Sequence, residues 1–388
     1  MAKILQIIAR LNVGGSARHV ILLSEKLQQL GHDVLLVHGV VEDDEQDMSW
    51  FAEERGIKKV QIPSMMRSIN FRNDLESTRL LLNLIWSFRP DVVHTHTSKA
   101  GLLGRLVAFI YCIFSRSNPS VIHTFHGHTF HSYFSKLQSY LFLFLERFLA
   151  RIATDKIITL SGLQLSEICN QYKVGSLSKH QMIPLGEDFE FVENIDKKKI
   201  RLEFGINSDV TVFGIVGRIA KIKDHALFLH SVYEFQMNRP DSKVAFLVIG
   251  DGSDELVLEL KDIIKSLSIQ NVVFTGNIRN TEEIYSLINV LVITSLNEGT
   301  PVTILEAFAS GVPVISSAVG GVPDLLQGGD LGELVYSRDP KDFAQKFSHF
   351  IDNPAKHLQK VTKAKDYVLK HHSVDAMTGL TVKTYDLS

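Results

Sequence analysis

Thiols are scarce in this chain, with only Cys112 and Cys169 among 388 residues. Neither shows metal-ligand or redox-motif spacing, which excludes a disulfide scaffold and a zinc ribbon and suits a reducing compartment. Long apolar runs are missing as well. No segment reaches the ~18 apolar residues of a membrane span: residues 102–114 are interrupted by Arg105, and residues 140–152 carry Glu146, Arg147 and Arg151. The first ten residues hold too short an apolar run for a secretory signal and read as a strand. The expectation is a cytoplasmic protein. Charge of one sign is also lacking. Lys+Arg 41 against Asp+Glu 43 leaves −2, which removes the basic footprint of a nucleic-acid binder. The balance conceals an asymmetry, because residues 1–182 hold 20 basic and 15 acidic side chains and the rest are acidic. A mildly basic first half allows peripheral contact with an anionic membrane face.

What is present is ordinary globular composition, 45% hydrophobic and 22% charged, over a length that fits two domains. Short apolar runs alternate with helical patterns: strands over 3–9, 33–39, 60–62, 91–96 and 153–160, another holding His123 within the stretch 120–131, helices over 19–30, 50–55, 77–88, 133–151 and 161–172. The pattern restarts with strands at 210–216, 243–250, 271–276, 290–293 and 312–315. Such alternation describes an α/β chain with parallel sheets.

Most of the candidate chemistry sits where these strands end. After the strand at 290–293, Asn297-Glu298-Gly299 offers a tight turn, Thr300 an N-cap and Pro301 the first helical position. The free N–H groups of such a helix start receive an anion. Glu298 and Glu306 flank it, about two helical turns apart, and carboxylates accept hydrogen bonds from sugar hydroxyls. A diphosphate between hydroxyls describes a nucleotide sugar, although two solvated glutamates at a helix end fit the same local pattern. Gly14-Gly15-Ser16 follows the first strand as a small-residue loop, but it is not G-x-G-x-x-G and supports a dinucleotide weakly. His123, His126, His128 and His131 invite zinc, yet no H-E-x-x-H and no cysteine partner accompanies them, so no metal is assigned. The acidic run 42–47 reads as solvated surface.

The wording S-x-N-E-G-T-P-V-x-x-x-E-A-x-A-x-G-V-P-V-I around Glu298 and Glu306 resembles the E-x7-E signature of the retaining glycosyltransferases of family 4, of the bacterial surface-polysaccharide type. The resemblance implies the GT-B fold, two Rossmann-like domains with parallel sheets facing a central cleft. It covers nearly the whole chain in order. Residues 1–185 match the acceptor-side domain, 186–365 the nucleotide-sugar donor domain, and 366–388 a C-terminal helix crossing back to the first. Gly14 and Gly15 match the loop beside the donor phosphate. Thr124-Phe125-His126 matches the T-x-H whose histidine meets the donor sugar. Gly217-Arg218 through Lys223 matches G-R-x-x-x-x-K, two cations that stabilise the leaving diphosphate in place of Mg²⁺. The family's base-binding segment falls at Asn277, Ile278 and Arg279. Glu298 is implied on a donor-sugar hydroxyl, Glu306 on the ribose, and Gly299, Thr300 and Pro301 on the phosphates. The implied reaction moves a sugar from a UDP-linked donor to a saccharide or lipid-linked saccharide, with no metal or other cofactor. A nucleotide-sugar epimerase and a non-catalytic nucleotide-sugar-binding subunit are the alternatives.

Overall fold

The computed structural model describes the chain except residues 43–44, 67, 69, 116, 127–135, 190–196, 279 and 388, and the side chains of 136–138. His128, His131 and Arg279 therefore lie outside the described residues. The chain divides into two compact units, Met1–Asp188 with His371–Ser388, and Phe189–Lys370. The tail changes unit later than position 366, because the helix Pro354–His371 runs through it unbroken. The new course begins where Ser373 accepts from Ala376 N and caps the last helix, Val374–Tyr385.

The first unit is built on seven strands: β1 (Lys3–Ile8), β2 (Asp33–His38), β3 (Lys59–Gln61), β4 (Val92–His96), β5 (Ser120–Thr124), β6 (Lys156–Thr159) and β7 (His180–Met182). They pair in parallel in the order β3-β2-β1-β4-β5-β6-β7. The chain winds outward from β1 to β3, then returns to the other side of β1 at β4. That reversal opens a crevice at the carboxyl ends of β1 and β4, where sheets of this kind bind ligands. The three-residue edge strand β7 was not expected, since so short a segment shows no periodicity. Helices Gly15–Gln29 and Val374–Tyr385 bury Val20, Leu23, Leu27 and Met377 on one face of the sheet. Helices Phe71–Phe88 and Ser98–Ser115 bury Leu81, Ile85, Val107 and Tyr111 on the other.

Two helices on that second face also depart from expectation. Phe71–Phe88 starts before residue 77 because Asn70 caps it, accepting from Arg72 N and Asn73 N. Ser98–Ser115, expected to be too interrupted to span a membrane, is long and apolar enough by length and composition. Its interrupting charge is internal: Arg105 is fully buried and its Nη2 donates to both oxygens of Glu146 at 2.7 Å. The helix packs on the sheet so closely that a Cβ at Gly104 would lie 2.6 Å from Thr95, and one at Gly101 2.4 Å from His123. The acidic run differs too. Glu45 is not solvated, its carboxylate being paired with Arg10 and its side chain 7% exposed.

The second unit repeats the plan with β8 (Thr211–Val216), β9 (Val244–Ile249), β10 (Val272–Gly276), β11 (Val290–Ile293), β12 (Val314–Ser317) and β13 (Glu333–Val335), parallel in the order β10-β9-β8-β11-β12-β13. Its core gathers Phe213, Phe235, Phe246 and Phe347, with Phe213 stacked 5.8 Å from Phe246 and tilted against Phe347 at 4.8 Å. Each such ring, fully buried, contributes about 1.5–3 kcal/mol. The reversal falls between β8 and β11.

Candidate active site

In the second unit the loops leaving β8 and β11 meet at that reversal. Gly217 (φ +136°) turns the chain out of β8, and Gly250, also at +136°, is pressed so near that a Cβ would lie 2.2 Å from the Gly217 carbonyl. A single 3₁₀ turn, Lys221–Lys223, follows, and then Asp224 caps the helix His225–Asn238 by accepting from Leu227 N. The β11 loop is tied to it by two bonds. Thr294 Oγ1 donates to the Asp224 carbonyl at 2.9 Å, and Leu296 N to the Ile222 carbonyl at 2.8 Å. This tie brings Lys223 Nζ to 2.7 Å from Glu298 Oε1, which also accepts from Ser295 Oγ at 2.6 Å. Arg338 braces the junction, donating to the Ser295 carbonyl at 2.9 Å and pairing with Asp224. Arg218, by contrast, is exposed and takes no hydrogen bond or ion pair among the described residues. One cation is thus held by the carboxylate and the other stands open.

The helix after Gly299 begins one residue late. It spans Val302–Ala309, with Pro301 rather than Thr300 at the N-cap and no side-chain cap. The cause is the proline, whose ψ of 116° keeps it extended, while its ring biases Thr300 away from helical geometry. The first N–H groups are left without a side-chain acceptor, which preserves the anion site. Because residues 298–301 are not helical, Glu298 and Glu306 do not stand two helical turns apart as expected. Glu306 lies in the second turn, and its Oε2 accepts from Tyr285 Oη at 3.0 Å, which also donates to the Thr303 carbonyl at 2.9 Å. Asn277 and Ile278 lie just beyond β10, after Gly276 (φ +70°).

In the first unit Gly14 is the uncapped N-cap of Gly15–Gln29, so that helix starts earlier than the expected residue 19. A Cβ at Gly14 would meet nothing nearer than 3.9 Å. Helix and sheet bring histidines together. His126 Nε2 lies 2.9 Å from His96 Nδ1, and the His19 ring is centred 4.9 Å from that of His126. Burial is the main cause that lowers the pKa of His94, His96, His123 and His126 well below the usual value, and that of His19 to about 4. All are neutral at pH 7. Nitrogens of His19, His96 and His126 lie within 4.8 Å of one another, a group able to hold a metal ion. Sequence reading missed His19, which comes from a different element.

The family described as Glycosyltransferase Family 4 matches residues 13–191, and that described as Glycosyl transferases group 1 matches residues 210–353. UDP-Gal:alpha-D-GlcNAc-diphosphoundecaprenol alpha-1,3-galactosyltransferase of Escherichia coli is 31% identical over 75% of this chain and 74% of its own. The chain belongs to the family 4, group 1 glycosyltransferases. A second relative of this glycosyltransferase, the capsular polysaccharide biosynthesis glycosyltransferase CapM of Staphylococcus aureus, is 28% identical over 74% of each chain. The fold is shared with Anabaena HepE, solved with UDP-glucose, at a TM-score of 0.82, 18% identity and 99% coverage of both chains. Both units are GT-B-type parallel-sheet domains. In the glycosyltransferase the loops bring together Lys223, Glu298 and the uncapped helix start at Gly299, Thr300 and Pro301. Three residues that sequence reading missed brace the surroundings: Ser295 bonds Glu298, Arg338 ties the Ser295 carbonyl to Asp224, and Tyr285 bonds Glu306.

Proposed function

We propose that this glycosyltransferase moves a sugar from a UDP-linked donor to a lipid-linked saccharide with retention of anomeric configuration and without a metal, in surface-polysaccharide assembly. The Lys223–Glu298 pair beside an uncapped helix start carries this reading. The donor and acceptor classes are supported by the Escherichia coli relative, whose name gives UDP-Gal and a diphosphoundecaprenol acceptor.

Arg218 and Lys223 receive the diphosphate, with the N–H groups of the helix Val302–Ala309. Lys223 then exchanges Glu298 for phosphate, and the freed carboxylate takes a sugar hydroxyl. Glu306 accepts from the ribose hydroxyls, while Gly14 and Gly15 leave room for phosphate and His126 meets a sugar hydroxyl. Asn277 and Ile278 border the base. The bond from the anomeric carbon to the β-phosphate oxygen breaks as the acceptor hydroxyl bonds to the same face. Its proton passes to the departing phosphate. The two cations stabilise that charge, in the role a metal would otherwise fill.

Purified protein with UDP-sugars and a polyprenyl-diphosphate-linked acceptor should give product with the donor's anomeric configuration, undiminished by EDTA. Lys223→Ala should lower kcat at least about 100-fold. Inverted product, loss of activity in EDTA or a trapped glycosyl-enzyme would overturn the mechanism. An epimerase or a non-catalytic subunit would give no acceptor-dependent product, so the same assay separates them.

The acceptor class implies a membrane face. The helix Lys136–Ile152 exposes Tyr140, Leu141, Phe144, Phe148 and Ile152 along one side, next to exposed Arg147 and Arg151. Apolar side chains flanked by cations suit insertion among anionic headgroups. Flotation with anionic vesicles should recover the protein and fail for Phe144→Asp with Phe148→Asp; equal recovery would remove the contact.

A further inference from the structure

A line of buried polar side chains in the first unit ends at His126. It begins at Gln6, fully buried in β1, where an amide needs protein hydrogen-bond partners shielded from bulk solvent. Gln6 Nε2 donates to Tyr385 Oη at 2.9 Å, and Gln6 Oε1 lies 2.6 Å from His96 Nε2. A carbonyl oxygen only accepts, so His96 Nε2 carries a hydrogen. Burial keeps His96 neutral, with a single N–H, and its Nδ1 is therefore an acceptor. The partner of that Nδ1, at 2.9 Å, is His126 Nε2, which must donate. His126, half-buried, is kept neutral by desolvation and by its histidine neighbours, and its lone pair is left on Nδ1.

The other arm is consistent. Tyr385 Oη, having accepted from Gln6, directs its one proton to His94 Nδ1 at 2.7 Å, and His94 Nε2 donates to Thr124 Oγ1 at 2.7 Å. Each bond on the path then has one donor and one acceptor. Turning the Gln6 amide over would reverse every bond and make His126 Nδ1 a donor. The separations oppose that, because the 2.6 Å contact lies just below the range for an N–H donor on a carbonyl oxygen and further below that for nitrogen against nitrogen.

We propose that Gln6 and Tyr385 are positioning residues that set the tautomer of His126 through His96, so that His126 presents Nδ1 as a hydrogen-bond acceptor to a sugar hydroxyl. The proposal rests on the reading of His126 as a sugar-facing residue. It deepens that reading by specifying the ligand chemistry, a hydroxyl that donates. It also joins the C-terminal helix to the site, since Tyr385 stands 379 residues from Gln6.

Long-range ¹H–¹⁵N spectra of the full chain, with ¹⁵N-labelled histidine and His126 assigned by comparison with His126→Asn, read the tautomer directly and without substrate. A misassigned sugar role would therefore leave this readout intact. His126 is expected to show a protonated Nε2 and an unprotonated Nδ1 at pH 7. Tyr385→Phe, which keeps the ring, should turn this into a mixture of tautomers and reduce kcat severalfold, and Gln6→Leu should do so more fully. Tyr385→Phe alone carries the test if Gln6→Leu does not fold. A protonated Nδ1 in the native chain, or an unchanged tautomer in folded Tyr385→Phe, would overturn the proposal. So would stoichiometric zinc in the purified protein bound by His19, His96 and His126, since the metal would take the His96 Nδ1 lone pair.

Discussion

Glu306 is held by a residue that no local pattern marks. Tyr285 comes from the helix Thr281–Leu287, is almost fully buried, and directs its hydroxyl at the Glu306 carboxylate and the Thr303 carbonyl. A hydrogen bond to a charged group contributes about 1.5–3 kcal/mol. Removing it takes one restraint from the carboxylate proposed to meet the ribose. Tyr285→Phe should therefore raise the donor KM about tenfold, equivalent to about 1.4 kcal/mol, with kcat nearly kept, because ribose binding is common to ground and transition states. An unchanged KM would separate Tyr285 from donor binding. The same contrast shows what the sequence makes legible at this scale. Lys223, Glu298 and Glu306 were readable because their motifs are contiguous. Ser295, Tyr285, Arg338, His19, Gln6 and Tyr385 were not, since each acts on a neighbour brought near only by the folded sheet.

Among elements, the alternation of buried strands and helices was legible throughout, and starting points were not. Helix starts at Gly15, Phe71 and Val302 depend on caps and on a proline's ψ, which short-range pattern reads poorly. The loop carrying Glu298 shows why the glycines after β12 stand where they do. Gly320 sits at φ +53°, and a Cβ there would fall 1.8 Å from the Glu298 carbonyl oxygen, while Gly321 N donates to that same oxygen at 3.1 Å. Gly311, at φ +72°, has nothing within 4 Å. Both Gly→Ala changes incur the left-handed penalty of about 1–2 kcal/mol. Only Gly320→Ala must also push the Glu298 backbone aside. Both variants should melt lower, and only Gly320→Ala should lose most of its turnover. Equal activity in the two would show that Glu298 does not depend on this close approach.

Across the whole molecule the two units differ in what they bury. The first buries His19, His94, His96, His123 and His372 and half-buries His126, with desolvation the largest cause of each lowered pKa, to about 4 for His19 and His372 and well below the usual value for the other four. In the second, burial likewise lowers His225 to about 4. There, too, burial acts to raise Glu333, but Lys346 and Lys360 overcome it and bring the carboxyl down to about 2. The signs decide the outcome. A histidine whose folded pKa lies below its unfolded value of about 6.5 leaves the unfolded chain binding more protons, so stability falls as pH drops from about 6.5 toward 4. Glu333 contributes stability that is lost only as pH falls from about 4.5 toward 2. The first unit should therefore unfold at higher pH on acid titration. Both tryptophans, Trp50 and Trp86, belong to it, so their fluorescence reports that unit alone while far-UV circular dichroism reports both. The fluorescence transition is expected to finish while a fraction of the dichroism signal persists to lower pH. Coincident transitions would mean either that the histidines of the first unit are not buried neutral or that the units unfold as one, and Tyr385→Phe distinguishes these. By weakening only the histidine network, it should move the fluorescence midpoint upward in pH if those rings are held neutral by the fold.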